Sequence, residues 1–469
     1  MKLCSYRLLI SIIAVLSLNL NSEVLEEVVV LEKKTTSLDG WSQNLSISTI
    51  NSEDLKKLDA QHPKQIFRRT PGVWISRGSG QEHLTSMRSP VLTGPGACGS
   101  FLLMEDGLPV RPSGFCNVNG LFETSYELSQ GIESITGPAS ARYGANAMHG
   151  VINILSTGVK SENKFSTNVG PNNYKNLKLS IGDLQNWKLN TLLVSNDGFR
   201  DMSGYDLQKI NMKSIFRIKE WDASFKFNLT NLNQETAGYI NGLDAYKDSN
   251  LNEKNGNPDA YRDASSYRLS LKLLKKNSNG ITSLTPYIRK NEMEFLQHYL
   301  PGTPIEKNSH TSSGLIFQRI INRGEITRVS GFQIEKAMMK LQEIQKNALT
   351  NSSAFNNATR PQGKHYDYEA ESKVFAVFTG IEGVEISNNL LGFADIRAES
   401  IHYSYDNKML TGNTRDDGSV CGFGGCYYNR PADRSDKHQE MSARLGLETN
   451  NEGVNYFAQT SLGFRPPQI

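Results

Sequence analysis

The sequence predicts an antiparallel β-barrel built to cross a membrane, preceded by a small α+β unit. Three observations carry this prediction. Strict two-residue alternation recurs beyond about residue 160, the stretch from about Leu55 to Ser156 is rich in glycine, proline and short apolar runs, and the chain begins like an exported one.

At the N-terminus, Lys2 and Arg7 precede and border LLISIIAVLSLNL, an apolar run of thirteen residues. A membrane-spanning helix needs roughly 20 apolar residues. The run therefore reads as a signal peptide over residues 1–22, cleaved near Ser22, with an uncleaved anchor as the alternative. Cys4 lies ahead of the apolar run and leaves with it. Of the 5 cysteines, the rest fall into two pairs, Cys98 with Cys116 and Cys421 with Cys426. An even count in an exported chain reads as disulfides, and the first would close a loop whose chain entropy is worth roughly 3 kcal/mol. The second, in CGFGGC, closes a tiny glycine-rich loop where strain or a metal role stays open. Against the metal, zinc wants four ligands and only His402 and His438 lie near in sequence.

Mean hydropathy of −0.46 and a net charge of +3 resemble a soluble protein, and no later segment has the length of a transmembrane helix. A transmembrane barrel is also polar on average, because only alternate residues face lipid. Periodicity decides between the two. In WDASFKFNLT, Trp221, Ala223, Phe225, Phe227 and Leu229 alternate with Asp222, Ser224, Lys226, Asn228 and Thr230. YRLSLKL sets Tyr267, Leu269, Leu271 and Leu273 against Arg268, Ser270 and Lys272; NLKLSIG sets Leu177, Leu179 and Ile181 against Lys178 and Ser180. This is strand periodicity. Tight turns such as KNSNG are interspersed with long polar excursions such as Thr236 to Ala260 and Asn347 to Lys364. That rhythm suits hairpins in an outer membrane; a soluble sandwich or β-helix would also alternate, but such loops are less usual there.

The segment before the strands begins with a helix capped at Ser52, with Leu55, Leu58, Ile66 and Phe67 as apolar positions, ended by Pro71-Gly72. SFLLMEDGLPV and GIESI read as short strands. GPASARYGANAMHGVINIL, residues 137–155, invites catalytic readings and fails them. It has no Gly-Lys-Ser/Thr ending for a phosphate loop and no G-x-S-x-G for a nucleophile elbow. The 8 histidines form no dense cluster. No enzymatic activity, catalytic residue, cofactor, bound metal or nucleic-acid partner is expected.

The order of EEVVVLEKK, LKKLDAQHPKQIFRRTPGV, SMRSP, LLMEDGLPV, IESITGPASARYGANAMHGVINIL and, far downstream, GFRPPQ resembles the TonB-dependent outer-membrane receptors. The resemblance implies a barrel of 22 antiparallel strands filled by an N-terminal plug. It assigns 23–35 to the TonB box region, 36–157 to the plug and 158–469 to part of the barrel. Gly137, Gly144 and Gly150 then supply tight turns, and Val151, Ile152, Ile154 and Leu155 a plug strand ahead of the first barrel strand. Glu26, Glu27, Val28, Val29, Val30 and Leu31 resemble the TonB box, an extended peptide able to add to the sheet of a periplasmic energy-transducing partner. Plug arginines in the family pair with acids on the barrel wall. Thr136 departs from the family's usual basic residue before Gly-Pro, leaving Arg77, Arg88 and Arg142 as candidates, Arg88 the best match. The resemblance implies import of a scarce nutrient, most often an iron-siderophore complex, across the outer membrane. Haem, cobalamin, copper and a passive receptor or adhesin are the alternatives. Arg111, Phe115 and Asn117, on an apex tied by Cys98 and Cys116, are the expected ligand contacts: a cation, an aromatic surface and a polar donor. From residue 160 onward there is length for about a dozen strands of the 22, so part of the barrel is expected to be missing.

Overall fold

The computed structural model describes residues 46–89, 98–116, 119–451 and 454–468. The signal segment, Glu26–Leu31 and Asn117 lie outside them. The first unit is built on a sheet of five strands in the order β1-β6-β7-β4-β5: β1 (Ser46–Asn51), β4 (Phe101–Glu105), β5 (Leu108–Pro109), β6 (Gly131–Thr136) and β7 (Gly150–Leu155). β4 runs parallel to β7 and the other neighbours are antiparallel. Every residue of β4, β6 and β7 is buried. These strands are therefore covered on both faces, and their buried polar residues include Glu105, Glu133 and Asn153.

Two short helices precede a hairpin. α1 (Ser52–Leu58) is capped one residue earlier than expected, because the Asn51 side chain accepts the Asp54 N–H at 2.9 Å. α2 (Pro63–Phe67) carries proline in its first turn and a capping box between His62 and Gln65, and it buries Ile66 and Phe67. The hairpin, β2 (Val73–Arg77) with β3 (His83–Met87), projects the turn 78–82. The core gathers Phe67, Phe101, Leu103, Leu121, Tyr126, Ile132 and Ile152. A four-residue helix, α3 (Ser140–Tyr143), ends at Gly144, whose φ is +85°. A Cβ there would come within 2.7 Å of Arg397 Nη2, so glycine allows both the turn and the close approach.

The second unit is one antiparallel sheet of 13 strands among the described residues. They are β8 (Lys164–Gly170), β9 (Tyr174–Gly182), β10 (Trp187–Asn196), β11 (Tyr205–Ile218), β12 (Trp221–Gln234), β13 (Arg262–Asn277), β14 (Gly280–Leu296), β15 (Ile305–Arg323), β16 (Ile326–Gln345), β17 (Gly363–Ser387), β18 (Leu390–Asn407), β19 (Arg434–Asn451) and β20 (Val454–Leu462). Each pairs with its sequence neighbour, and the sheet stays open between β8 and β20. The barrel is thus incomplete. The connections after β8, β10, β12, β14, β16 and β18 share one rim, which carries the long loops, among them 235–261, 346–362 and 408–433. The other rim has tight turns such as 219–220, 278–279, 324–325 and 388–389.

The alternation seen in the sequence sorts the two faces. In register, Lys226 faces Ser270 and Asn228 faces Arg268 on one side, while Phe227 faces Leu269 on the other. Ile288, Ile334, Phe375, Ile396, Met441 and Leu445 are exposed on the outer face, an apolar surface suited to hydrocarbon. No helix among the described residues is long and apolar enough to cross a membrane, which says nothing of the strands. First-unit residues bond to strands from β9 to β18, so the sheet wraps around this unit as a wall around a plug.

Candidate functional site

Two places can act on a solute: a cavity where the plug meets the long-loop rim, and the interface between plug and wall below it. The cavity is about 910 Å³, within the usual size of small-molecule sites. The turn after β2 forms its floor, and the wall contributes Tyr174, Phe199, Arg200, Tyr205 and Tyr239. Phe199 is 58% and Tyr239 90% exposed, so aromatic faces are on offer. Arg77 is exposed and lines the same cavity. Arg200 is spent on structure, with Nε donating to the Lys254 carbonyl at 2.9 Å.

The plug turn is bonded to the rim. Ser79 Oγ donates to the Ala237 carbonyl and the Ala237 N–H returns to Ser79 Oγ, both at 3.0 Å. Gln81 N–H donates to Gln234 Oε1 at 2.6 Å. Two neutral histidines brace this turn from below. His62 Nδ1 accepts from Lys64 N–H at 3.1 Å, which leaves Nε2 to donate to the Glu82 carbonyl at 3.1 Å. His83 Nε2 accepts from Leu121 N–H at 3.2 Å, which leaves Nδ1 to donate to the Gln81 carbonyl at 2.8 Å. Burial, helped by each other's proximity and by nearby cations, lowers His62 to about 3; burial lowers His83 to about 4.

The expected ligand contacts sit elsewhere. Arg111 is buried, its Nε donating to Glu123 Oε1 at 2.9 Å. That carboxylate answers its charge, so Arg111 offers no free cation in this conformation. Phe115 is buried against the wall, packing with Ala337, Met339 and Ala370 and meeting the His310 ring edge-on at 4.8 Å. Asn117 lies outside the described residues. Cys98 and Cys116 are disulfide-bonded with Cα atoms 4.6 Å apart, and Cys421 and Cys426 likewise at 4.9 Å.

At the plug–wall interface the three candidate arginines separate. Arg142 is buried and pairs with Glu382 and, at 3.3 Å, Asp395 of the wall. Arg444 joins the same two acids at 3.0 and 2.5 Å. Arg88 is exposed and lies along Gly72 and Gly137 within the plug; Arg77 lines the apex cavity. GFRPPQ lies against the same corner: Phe464 packs with Ala145, and Gln468 Nε2 donates to Asn146 Oδ1 at 3.4 Å.

Most of the remaining pairs run in the opposite sense, with the acid on the plug and the base on the wall. Asp59 meets Lys178 at 2.5 Å, Glu82 meets Arg262 at 3.2 Å, Asp106 meets Lys226 at 2.7 Å and Glu127 meets Lys209 at 2.7 Å. Glu105 pairs with Arg268. Lys178, Lys226 and Arg268 were legible in the sequence as the polar side of alternating strands. Nothing in a strand pattern names the plug residue each one meets. Adjacent acids differ sharply here. Burial pushes the Glu105 carboxyl up despite Arg268, whereas at Asp106 burial is overcome by the Lys226 and Lys213 cations, which pull it down to about 2.

Residues 41–151 match the TonB-dependent Receptor Plug Domain family. In fold, the chain is similar to the ferric yersiniabactin uptake receptor FyuA from Yersinia pestis, with 13% identity, a TM-score of 0.67, and coverage of 90% of this chain and 65% of that one. It is similar to the ferric citrate transporter FecA, at 15% identity and a TM-score of 0.69, covering 91% of this chain and 64% of that one. It also resembles the copper transporter OprC, at 11% identity and a TM-score of 0.66, covering 91% and 64%. The chain therefore spans slightly less than two thirds of the length of these proteins, and at such identities the likeness is one of fold. With residues 41–151 matched as a plug domain and the plug-in-wall arrangement matched as a fold, the chain carries a TonB-dependent receptor plug domain and shares the fold of these receptors.

Proposed function

We propose that the protein is an outer-membrane receptor that imports a scarce nutrient, most favourably an iron-siderophore complex, using energy delivered through Glu26–Leu31 by a periplasmic TonB partner. The observation that carries this reading is the apex cavity. A solute seated there touches both the rim aromatics and the plug turn hydrogen-bonded to the rim, so binding outside can be felt by the plug. Exposed aromatic faces and the Arg77 guanidinium suit a chelate with aromatic or acidic groups. The Arg111, Phe115 and Asn117 segment then belongs to the part of the plug that must shift for passage, rather than to the first contact.

Uptake of radiolabelled ferric chelates by cells expressing the full-length protein tests this. Uptake of one chelate should vanish when residues 26–31 are deleted and when the proton gradient is collapsed. Uptake that survives both would make the protein a passive receptor.

A further inference from the structure

Four buried side chains on the inner face of the wall form a group that neither the apex cavity nor the fold explains. Arg268 stands directly opposite Arg289 in the β13–β14 ladder, and Asn291 directly opposite His310 in the β14–β15 ladder. Arg289 and Asn291 are two residues apart on one strand, so all four share one face. All are at least nine-tenths buried. Arg268 Nη1, both amide atoms of Asn291 and both ring nitrogens of His310 have no hydrogen-bond partner among the described residues. Buried polar atoms are nearly always satisfied, so this much unmet capacity in one place needs an occupant.

One continuous piece of plug covers the group. Glu105 pairs with Arg268, the Pro109 carbonyl accepts from Arg289 Nη1 at 2.6 Å, and Phe115 stacks its edge on His310. Arg289 also keeps a wall partner, Glu335, at 2.6 Å; Arg268 has its counter-ion from the plug. Glu105 meets Arg268 through one oxygen on Nη2, which leaves Arg268 Nη1 and Glu105 Oε1 without partners among the described residues, although a guanidinium can hold a carboxylate or phosphate through two parallel bonds. Burial already disfavours that carboxylate's charge, which weakens its hold on the arginine.

We propose that Arg268, Arg289, Asn291 and His310 form an anion-binding station on the wall, capped by plug residues 105–115, that takes over a solute's carboxylate or phosphate-like oxyanion when this plug segment moves. The surroundings favour anions: Lys209, Lys213 and Lys226 lie on the same inner face of the neighbouring strands. Among the described residues the acid on that face of β9–β14 is Asp222, near the tight-turn rim. The station rests on the import reading in one respect, that the plug segment moves during transport.

The test uses full-length protein in planar lipid bilayers, with the plug unseated by urea and conductance read in a potassium chloride gradient. The wild type should favour chloride, and inorganic phosphate should block its current. In Arg268→Gln/Arg289→Gln the chloride-to-potassium permeability ratio should fall about tenfold, the lower end of what focused charge does to local ion concentration, and phosphate block should disappear. Asn291→Asp leaves every ion pair intact, guards against a folding failure of the double variant, and should weaken phosphate block by adding like charge. A permeability ratio and phosphate block unchanged in both variants would overturn the station. The measurement needs no energy-transducing partner. Chelate uptake indifferent to residues 26–31 would therefore sink the import reading while this result stood.

Discussion

The wall has two electrically different arcs. Along β9–β14 the inner face presents bases, and the plug answers with Asp59, Glu82, Glu105, Asp106 and Glu127. Along β17–β19 it presents Glu382 and Asp395, and the plug answers with Arg142 while the wall adds Arg444. The first arc is a row of separate pairs, each needing the plug. The second is a four-member cluster that keeps one internal cation when the plug leaves. Removing the plug therefore uncovers net positive charge on the first arc, while Arg444 still offsets part of the negative charge on the second. In the proposed import, displacement of the plug would expose a charge preference on one side of the wall.

The largest effect should come from breaking the cluster. Asp395→Ala leaves Arg142 and Arg444 sharing Glu382 in a buried site, and losing one partner of a buried ionic group costs about 3–5 kcal/mol. Thermal or urea unfolding of the plug should show it, and a loss below 1 kcal/mol, the range of exposed pairs, would mean the cluster is not a unit. Next comes a cycle on the first arc. Arg268→Met alone should cost about 3 kcal/mol, whereas adding Glu105→Leu should recover most of it, since apolar replacement of a whole buried pair is close to neutral. If the double variant is as unstable as the single, the pair is not isolated and the contrast between arcs fails.

A smaller, graded effect should follow pH at the apex, where His62 bonds the backbone of the first arc's Glu82. His62 and His83 have folded values of about 3 and about 4 against an ordinary value of 6.5. Between these limits the unfolded chain binds more protons than the folded one. Their contribution is therefore complete above pH 6.5 and is lost as pH falls toward 4. Hydrogen exchange at residues 78–82 should accelerate over that interval in the wild type, and His62→Gln should flatten the response. Least of all, Lys57→Ala should change stability by no more than about 0.5 kcal/mol, because its partner Glu53 is one turn away on an exposed helix face.

The plug was readable because its motifs are local. Pro71-Gly72 ended the helical region, Gly144 took its left-handed turn, and GVINIL became β7, since turn chemistry and β-branched runs act over a few residues. The helix cap moved by one residue because Asn51 and Ser52 are both competent, and which one caps depends on where β1 releases the chain. Arg111 and Phe115 read as free recognition groups because sequence shows residue type and not neighbours: Glu123, twelve positions away, and Ala337, Met339 and Ala370 on the wall were invisible. Arg88 matched the family pattern best, yet Arg142 is the arginine that reaches wall acids, since α3 carries it against β18 and β19.

By itself, the sequence determined the alternating strands, the long-loop and tight-turn rims, the plug ahead of the wall and the side of each strand on which charge falls. Those features follow from a two-residue period and from the conformational limits of glycine and proline, which any short window of chain carries. The tertiary structure alone decided which plug acid meets which wall base, which arginine closes the acidic cluster, and which polar groups are buried without partners. These depend on the register of strands against a plug more than a hundred residues away in sequence, where one residue of slip exchanges lumen for lipid.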